Sequence, residues 1–319
     1  MAQQIFNLAD KHGIRDFFTE NGYVVICDVL TPDECRQTYT EMGELMTELA
    51  PDFNLADQTT WDAAPVHQNY GILSDNPIFK PQFVRNRVNR NLLTAAGILY
   101  DLPTRELLTN HDRCCFYRPS VLPEHKHWQT KYTFPGLHLD FGKNMYYEQQ
   151  KVRAKREQIE YANQRDFIGE NNLYVRDDGL QLQGIINILN NSDEDGGFQC
   201  VPGFHLKFDE WCAKSTPDEE IGRYDFKSEY SNDMAYVSEP RKISLPRGAI
   251  ILWDQRMAHG SVPNNSSRPR VCQFFKVYPR RIFSESRLKK RWALTTRCIP
   301  QNLMSEFGES ELAVLGKPR

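Results

Sequence analysis

Gly136-Leu137-His138-Leu139-Asp140-Phe141 is the stretch that decides the fold, because polar and apolar residues alternate in it directly after a Pro-Gly break. This alternation predicts a short strand with two different faces. Residues i and i+2 of a strand point to the same side, so His138 and Asp140 can direct an imidazole and a carboxylate at one point. The opposite, apolar face carries Leu137, Leu139 and Phe141.

A third metal ligand can come from much later in the chain. The apolar run Ala249-Ile250-Ile251-Leu252-Trp253 follows the turn signal Pro246-Arg247-Gly248 and predicts a buried strand. His259 comes just after this run, so its ring should project from a strand end. Two histidines and one carboxylate on one face of a metal leave coordination positions open, as in non-haem Fe(II) oxygenases. His138, Asp140 and His259 are therefore the candidate metal ligands.

The segment from Pro269 to Tyr278 predicts the next strand, and we expect it to form a hairpin with the strand before His259. Arg270 and Cys272 share one face of it with Lys276. Arg270 is thereby placed to enter the cavity beside His259, where a guanidinium can hold a carboxylate through two hydrogen bonds. Arg268 competes for this role, but it precedes a proline, which favours an extended loop conformation.

These motifs resemble, in order and in chemistry, those of the phytanoyl-CoA dioxygenase (PhyH) family of Fe(II)- and 2-oxoglutarate-dependent oxygenases. The resemblance covers roughly residues 14 to 278, and Phe204 stands where the family usually has Ser. The matching pieces are His138-Leu139-Asp140, residues 196–205 against the family's G-x-L-x-x-x-P-G-S-H segment, Leu245-Pro246-Arg247-Gly248, and His259-Gly260-Ser261 with the later Arg270.

The resemblance implies a site and a reaction. His138, Asp140 and His259 would bind Fe(II), while Arg270, helped by Ser261, would hold the distal carboxylate of 2-oxoglutarate. Such an enzyme consumes 2-oxoglutarate and O2, releases succinate and CO2, and oxidises an unactivated C–H bond. The outcome can be hydroxylation, desaturation or oxidative cyclisation in biosynthesis. The fold implied is mainly β with flanking helices, a double-stranded β-helix (jelly-roll, cupin-like) core buttressed by N-terminal helices.

The rest of the chain predicts matching elements. Thr31-Pro32-Asp33-Glu34 is a capping box with Pro at the first helical position, and further helices are expected around 14–20 and 91–100. Many short strands with Gly and Pro turns indicate a sandwich or jelly roll. The strand candidates are 113–117, 136–141, 182–189, 197–201, 241–245, 249–253 and 269–278. We expect a single domain over 1–319, with its core at about 14–278 and a helical C-terminal extension at 279–319.

Composition and charge limit the class of protein. A chain of 319 residues with 40% hydrophobic content can bury one large core. Its net charge of −3 predicts no general attraction to nucleic acid or anionic membranes. It shows neither an apolar run of membrane-spanning length nor the features of a signal peptide. We therefore expect a cytoplasmic enzyme with a small-molecule substrate and without nucleic-acid or membrane partners, and the oligomeric state stays open.

Basic residues near the predicted cavity favour a substrate that bears carboxylate or phosphate. The charged, helix-prone segment 143–169 begins three residues after Asp140 and can be either a lid or a solvated surface helix. Lys155 and Arg156 in this segment, and Arg118 beside the strand predicted at 113–117, are the candidates to hold the charged end of the substrate. The same cations can equally be ordinary surface charges.

Three alternatives stay open. His125-Lys126-His127 offers a second histidine pair of the cupin type, although no apolar strand pattern supports it. The basic segment 276–297 would suit a nucleic-acid or protein demethylase, whose polyanion binding would be sensitive to salt. The barrel could also be a non-catalytic binding module, and iron-dependent conversion of 2-oxoglutarate to succinate distinguishes it from an enzyme.

Overall fold

The computed structural model describes residues 3–67, 70–214 and 222–319. Its strands are short, as the many turn signals predict. In chain order they are β1 (Tyr23–Ile26), β2 (Ile72–Leu73), β3 (Leu107–Thr109), β4 (Cys114–Tyr117), β5 (Leu137–Leu139), β6 (Leu182–Asn187), β7 (Gly197–Cys200), β8 (Tyr224–Asp225), β9 (Arg241–Lys242), β10 (Ile250–Asp254), β11 (His259–Val262) and β12 (Arg270–Pro279).

Helices precede, interrupt and follow these strands, and they contain more residues than the strands do. They are α1 (Lys11–Asn21), α2 (Pro32–Leu49), α3 (Pro81–Arg87), α4 (Arg90–Tyr100), α5 (Asn144–Tyr147), α6 (Gln149–Glu157), α7 (Arg165–Asn171), α8 (Phe204–Lys214), α9 (Ser231–Val237), α10 (Glu285–Cys298), α11 (Gln301–Met304) and α12 (Glu309–Leu315). Among the described residues, no helix has both the length and the apolar character that crossing a membrane requires.

The strands form two antiparallel sheets, and this is the predicted jelly roll. The larger sheet has the order β1-β10-β6-β12-β4-β2, with β3 also paired to β12, and the smaller has the order β8-β5-β11-β7-β9. Side chains of the two sheets meet in a shared core, where the rings of Phe198 on β7 and Trp253 on β10 lie 4.6 Å apart between centroids. The space between the sheets is therefore where residues from distant parts of the chain meet.

The predicted hairpin around His259 is wrong. β10 and β12 both pair antiparallel with β6, so they run parallel to each other on its two sides. Parallel strands cannot be joined by a tight turn and need a crossover. The chain makes this crossover through the smaller sheet, where β11 pairs with β5 and β7. His259 thus begins a separate strand in the smaller sheet and does not lie at the end of β10.

The N-terminal helices buttress the larger sheet as predicted. Glu34 N donates to Thr31 Oγ1 over 3.2 Å, and Thr31 N donates to Glu34 Oε2 over 2.7 Å, which is the capping box expected at the start of α2. Cys35, Met42 and Met46 of this helix are buried in a core shared with strands β1, β6 and β10. Helices α1 and α4 contribute to the same core. The outer face of the larger sheet is thereby sealed, and the inner face remains for the site.

Three arginines of the basic C-terminal segment have structural roles. Arg287 and Arg291 of α10 are buried and both pair with Glu170 of α7, at 3.0 Å and 3.2 Å. Arg280 donates to the carbonyl oxygens of Ala313 and Lys317. A buried guanidinium needs such partners, because desolvating an unpaired charge is costly. These arginines tie the C-terminal helices to the rest of the fold, so they supply no argument for a polyanion-binding enzyme.

Buried His111 should make stability sensitive to acid. Its Nε2 lies 3.2 Å from Thr295 Oγ1, and burial, with Arg291 and Arg87 adding to it, holds its pKa well below the usual value. Below about pH 6.5 the unfolded chain therefore binds a proton that the folded protein excludes. The free energy of unfolding should then fall by up to about 1.4 kcal/mol per pH unit from this residue.

Urea titrations between about pH 7 and about pH 5 test this expectation. The variant His111→Asn should lose less stability on acidification than the wild-type protein. The matched control is His12→Asn, at an exposed position of α1, which should keep the wild-type pH dependence. Equal acid sensitivity of His111→Asn and the wild type would contradict the prediction.

Candidate metal centre and cavity

His138, Asp140 and His259 converge on one point between the two sheets. His138 and His259 are directly opposite each other in the register of β5 and β11, and their ring centroids are 4.4 Å apart. Asp140 follows β5, with its Oδ1 3.4 Å from His138 Nε2. One potential ligand atom from each residue lies within 4.8 Å of the others. The tertiary structure thus assembles the trio that the sequence singles out.

Local electrostatics keep the three side chains in metal-binding forms. His259 Nδ1 lies 2.9 Å from the carbonyl oxygen of Met257. A carbonyl only accepts, so Nδ1 carries the proton and Nε2 keeps its lone pair. Burial, reinforced by His138, lowers the pKa of His259 to about 3, and burial also lowers the pKa of His138. Both imidazoles are therefore neutral at neutral pH, as metal ligation requires.

The carboxylate is ionised for a different reason. Burial by itself would raise the pKa of Asp140, and the ammonium group of Lys276 is the largest influence that opposes it. The net result is a pKa well below the usual range of an aspartate. One anionic and two neutral ligands are the donor set that suits a divalent non-haem iron.

Arg270 is buried at the start of β12 and has no carboxylate partner among the described residues. Its Nη1 and Nη2 lie 3.8 Å and 3.6 Å from the thiols of Cys115 and Cys272, and its Nε has no hydrogen-bond partner. Its guanidinium lies over the ring of Tyr117, 5.0 Å from the centroid. A buried cation without an anion is costly. This guanidinium is therefore suited to receive the carboxylate of a ligand.

Glycine at position 197 makes room for this guanidinium. A Cβ atom there would lie 2.7 Å from Arg270 Nε, and the backbone has a φ of +111°, a region that other residues rarely adopt. Ser261 and Tyr117 line the nearby cavity, whereas Arg270 lies against the Tyr117 ring and outside this lining. Gly197 thus serves the approach of Arg270 as well as the start of β7.

A cavity of about 650 Å³ contains the three candidate ligands. This volume suits a small-molecule ligand. Trp253, Phe198 and Phe274 supply part of its apolar wall, and Ile168 and Asn171 bring the end of the helical segment α5–α7 to it. Its charged lining residues other than Asp140 are Asp112, Arg113, Lys131, Arg223, Asp225, Lys227, Glu229 and Lys276.

The three cations that the sequence suggested for the substrate lie outside this lining. Arg118 donates to the carbonyl oxygen of Trp61 over 2.8 Å, and Arg156 is paired with Asp178. Lys155 is exposed on α6. These residues were suggested because they lie near the candidate ligands or a cavity strand in the sequence. The helical segment α5–α7, however, reaches the cavity only at the end of α7. The structure therefore does not support Arg118, Lys155 or Arg156 as substrate contacts.

The alternative histidine pair does not form a metal site among the described residues. His127 Nε2 contacts Asp62 Oδ1 at 2.5 Å, whereas the His125 ring stacks on Trp128 with 3.9 Å between centroids. The two side chains are thus engaged with different partners. In the part of the chain that the structure describes, the cluster able to hold a metal is His138, Asp140 and His259.

Sequence reasoning missed Gln183, which contacts the Asp140 carboxylate. A signal was present, because Gln183 is a polar residue within the apolar strand candidate 182–189. A polar side chain at a buried strand position calls for a buried partner. Lys276 was placed correctly on the face of Arg270, but its contact with Asp140 could not be read from the sequence.

Comparison with known proteins agrees with this geometry. Residues 150–272 match the family model for phytanoyl-CoA dioxygenase (PhyH). A protein of Dictyostelium discoideum described as a phytanoyl-CoA dioxygenase is 34% identical over 283 residues, which are 86% of this chain and 78% of the relative. This chain belongs to the phytanoyl-CoA dioxygenase family. It is therefore an Fe(II)- and 2-oxoglutarate-dependent oxygenase, with O2 as the second cosubstrate.

Similarity extends further, to one more sequence relative and to two solved structures that share the fold. Ava biosynthesis cluster protein O of Aspergillus versicolor is 23% identical over 295 residues, 87% of this chain and 80% of its own. The structure of GlcNAc Inducible Gene 2 protein from Candida albicans has a TM-score of 0.58 at 14% identity, covering 96% of this chain and 73% of that one. The epimerase SnoN, in complex with Fe3+, alpha ketoglutarate and nogalamycin RO, has a TM-score of 0.51 at 14% identity, covering 85% and 84%.

The residues of this chain fit the cofactors of the family. Two neutral imidazoles and one carboxylate converge as iron ligands would, and the buried guanidinium of Arg270, which has no carboxylate partner among the described residues, suits the distal carboxylate of 2-oxoglutarate. The converging donors and the Arg270 guanidinium are features of this chain and do not depend on its relatives. They agree with iron and 2-oxoglutarate, the cofactor and cosubstrate that the family uses.

Proposed function

We propose that the protein oxidises an unactivated C–H bond of a small metabolite that carries a carboxylate or phosphate group, while 2-oxoglutarate is converted to succinate and CO2. The observation that carries this proposal is the cavity: it contains the candidate iron ligands and exposed cations in one space of about 650 Å³. An anionic group held by those cations would present the rest of the molecule to the metal.

Two of the cations are suited to this role because they have no carboxylate partner among the described residues. Lys131 and Lys227 are exposed parts of the lining, and Lys227 Nζ lies 3.5 Å from the Tyr230 hydroxyl. In contrast, Arg223 is paired with Asp225 at 2.8 Å, and Arg113 with Asp112 at 3.3 Å. We therefore assign the substrate anion to Lys131 and Lys227.

The chain's residues would divide the work as follows. His138, Asp140 and His259 hold iron, which supplies the oxidising chemistry when bound with 2-oxoglutarate and O2. Three protein ligands leave coordination positions for the cosubstrates. Arg270, helped by Ser261, would anchor the far carboxylate of 2-oxoglutarate through charge-assisted hydrogen bonds. Apolar side chains around the ligands limit access of water to the reacting atoms.

The proposal includes three reaction types that the chemistry of the family allows: hydroxylation, desaturation and oxidative cyclisation. A relative at 23% identity is named for a biosynthesis cluster. We therefore include in the proposal that the reaction belongs to biosynthesis. A non-catalytic binding module is the weaker alternative, because the three candidate ligands and Arg270 are all present.

A turnover screen tests this function. The protein is incubated with Fe(II), 2-oxoglutarate and pooled metabolites, separated into anionic and neutral fractions, and succinate is measured. We expect substrate-dependent succinate with an anionic fraction. Succinate stimulated only by neutral compounds would contradict the substrate class, and no iron-dependent succinate with any pool or without substrate would favour the binding module.

The assignment of Lys131 and Lys227 gives a separate prediction. Because each exposed lysine would make one solvent-screened charge contact with the substrate anion, Lys131→Ala or Lys227→Ala should raise the KM for the identified substrate several-fold. The KM for the cosubstrate should not change. Lys155→Ala, which removes an exposed lysine outside the cavity, is the matched control. Unchanged substrate KM in both cavity variants would refute the assignment.

A further inference from the structure

We propose that Gln183 and Lys276 are positioning residues that hold Asp140 Oδ2, so that the carboxylate binds the metal through Oδ1 alone. The inference rests on the proposed role of Asp140 as an iron ligand and adds to it. Gln183 Nε2 donates to Asp140 Oδ2, and Lys276 Nζ lies 3.5 Å from the same atom. Oδ1 instead faces the other ligands, 3.4 Å from His138 Nε2. Oδ2 is therefore held by Gln183 and Lys276, and Oδ1 is left to bind the metal.

Strand register places the positioning residues side by side. Trp253 on β10 is opposite Gln183 on β6, and Gln183 is in turn opposite Lys276 on β12. Directly opposite residues of antiparallel strands point to the same face, with Cβ atoms about 5 Å apart. The three side chains thus lie next to one another across the inner face of the larger sheet, where they meet Asp140 from the smaller sheet.

Trp253 determines which way the Gln183 amide points. Its indole Nε1 lies 3.0 Å from Gln183 Oε1. An indole N–H is a donor only, so the oxygen of the amide must face Trp253. The NH2 group then faces Asp140, where only a donor is useful to a carboxylate. This hydrogen-bond chain fixes the Gln183 side chain independently of any ligand.

Lys276 is also fixed by a second contact besides the one with Asp140. The residue is 5% exposed, and its ammonium donates to the carbonyl oxygen of Asn171 at the end of α7. Asp140 is its only ion-pair partner among the described residues. A buried ammonium strongly favours a nearby anion. Lys276 therefore attracts Oδ2 away from the metal position and joins Asp140 to the helical segment that walls the cavity.

The consequence concerns the coordination number of the metal. A free carboxylate can bind a metal through one or both oxygens. With Oδ2 engaged by an amide and an ammonium, Asp140 would occupy one coordination position instead of two. A chelating 2-oxo acid and O2 together need three positions. The positioning residues would thus preserve the vacancies that the reaction requires.

Cobalt binding to the metal-free protein tests the proposal without turnover. The variants Gln183→Leu and Lys276→Met are titrated with Co(II) by calorimetry, and the visible d–d bands report the coordination number. Changes around a metal ligand typically cost about 10–100-fold in affinity, and we expect a loss of this size together with altered bands. Trp253→Phe, which removes the indole donor to Gln183 but keeps an aromatic ring beside His259, should show a smaller loss.

Gln273→Leu is the matched control. Gln273 is also a buried glutamine in the larger sheet, but it donates to the Phe83 carbonyl oxygen and accepts from Asn86, on the other face of β12. Its loss should leave Co(II) affinity and the bands unchanged. If Gln183→Leu does not fold, Gln183→Asn and Trp253→Phe test the same contact with smaller disturbance.

Asp140→Ala distinguishes failure of this inference from failure of the proposed function. If Asp140→Ala loses Co(II) binding whereas Gln183→Leu and Lys276→Met bind Co(II) with wild-type affinity and bands, the positioning role is overturned and the metal site stands. If Asp140→Ala binds Co(II) like the wild type, Asp140 is not a ligand, and both proposals fail.

Discussion

His259→Ala should abolish 2-oxoglutarate turnover and remove most Fe(II) binding, while the protein remains folded. His259 contributes one of the three converging donors and no other described histidine lies near enough to replace it. Mutating a residue that contacts a metal ligand typically lowers metal affinity by up to about 100-fold. The loss in His259→Ala should be larger, because a candidate ligand itself is removed. Anaerobic Fe(II) titration, succinate formation and thermal unfolding measure the three quantities.

His127→Ala is the control for this experiment. That histidine is exposed and contacts Asp62, so its loss should leave Fe(II) binding and turnover unchanged. Full activity in His259→Ala would refute the ligand assignment. Activity lost in His127→Ala without structural damage would instead move the metal site to the histidine pair at 125 and 127.

Arg270→Ala should raise the apparent KM for 2-oxoglutarate about 100-fold or more. Two charge-assisted hydrogen bonds to the distal carboxylate would be lost, each worth about 1.5–3 kcal/mol, and about 3 kcal/mol already corresponds to more than a factor of 100. Fe(II) affinity measured without 2-oxoglutarate should change little, because the contacts of Arg270 are with thiols and Tyr117 and not with the three candidate metal ligands. Initial rates over a range of 2-oxoglutarate concentrations provide the measurement.

Arg268→Ala is the matched control, because Arg268 lies two residues before Arg270, just ahead of β12. Arg268 pairs with Asp195 at 2.8 Å, and its side chain is 59% exposed. Its loss should therefore alter the KM for 2-oxoglutarate much less than the loss of Arg270. A larger effect of Arg268→Ala would show that the wrong arginine has been assigned to the cosubstrate.

The helical segment α5–α7 has a structural role that its many charged residues did not indicate. Its last helix carries Glu170, which forms ion pairs with Arg287 and Arg291, and Asn171, whose carbonyl oxygen accepts from Lys276. The segment is thus bound to the C-terminal helices on one side and to the surroundings of Asp140 on the other. Its last turn and the following Asn172 line the cavity.

Local sequence determined those features that depend on neighbours in the chain. The alternation around His138 and Asp140 is a property of a few residues, so the strand, its two faces and two of the candidate ligands could be predicted directly. The capping box of α2 is equally local. The order of motifs along the chain also carried the family resemblance, and with it the jelly roll and the cofactors.

Tertiary structure decided whatever depends on partners from distant segments. His259-Gly260-Ser261-Val262 has no strong strand pattern of its own and becomes β11 because β5 and β7 flank it. A lysine or arginine looks the same in sequence whether it is solvated or buried; Arg291 is buried because Glu170, from another helix, can neutralise it. The contacts of Gln183 and Lys276 with Asp140 likewise required the register of β6 and β12 and the approach of the facing sheet, since pairing between distant strands sets which side chains meet.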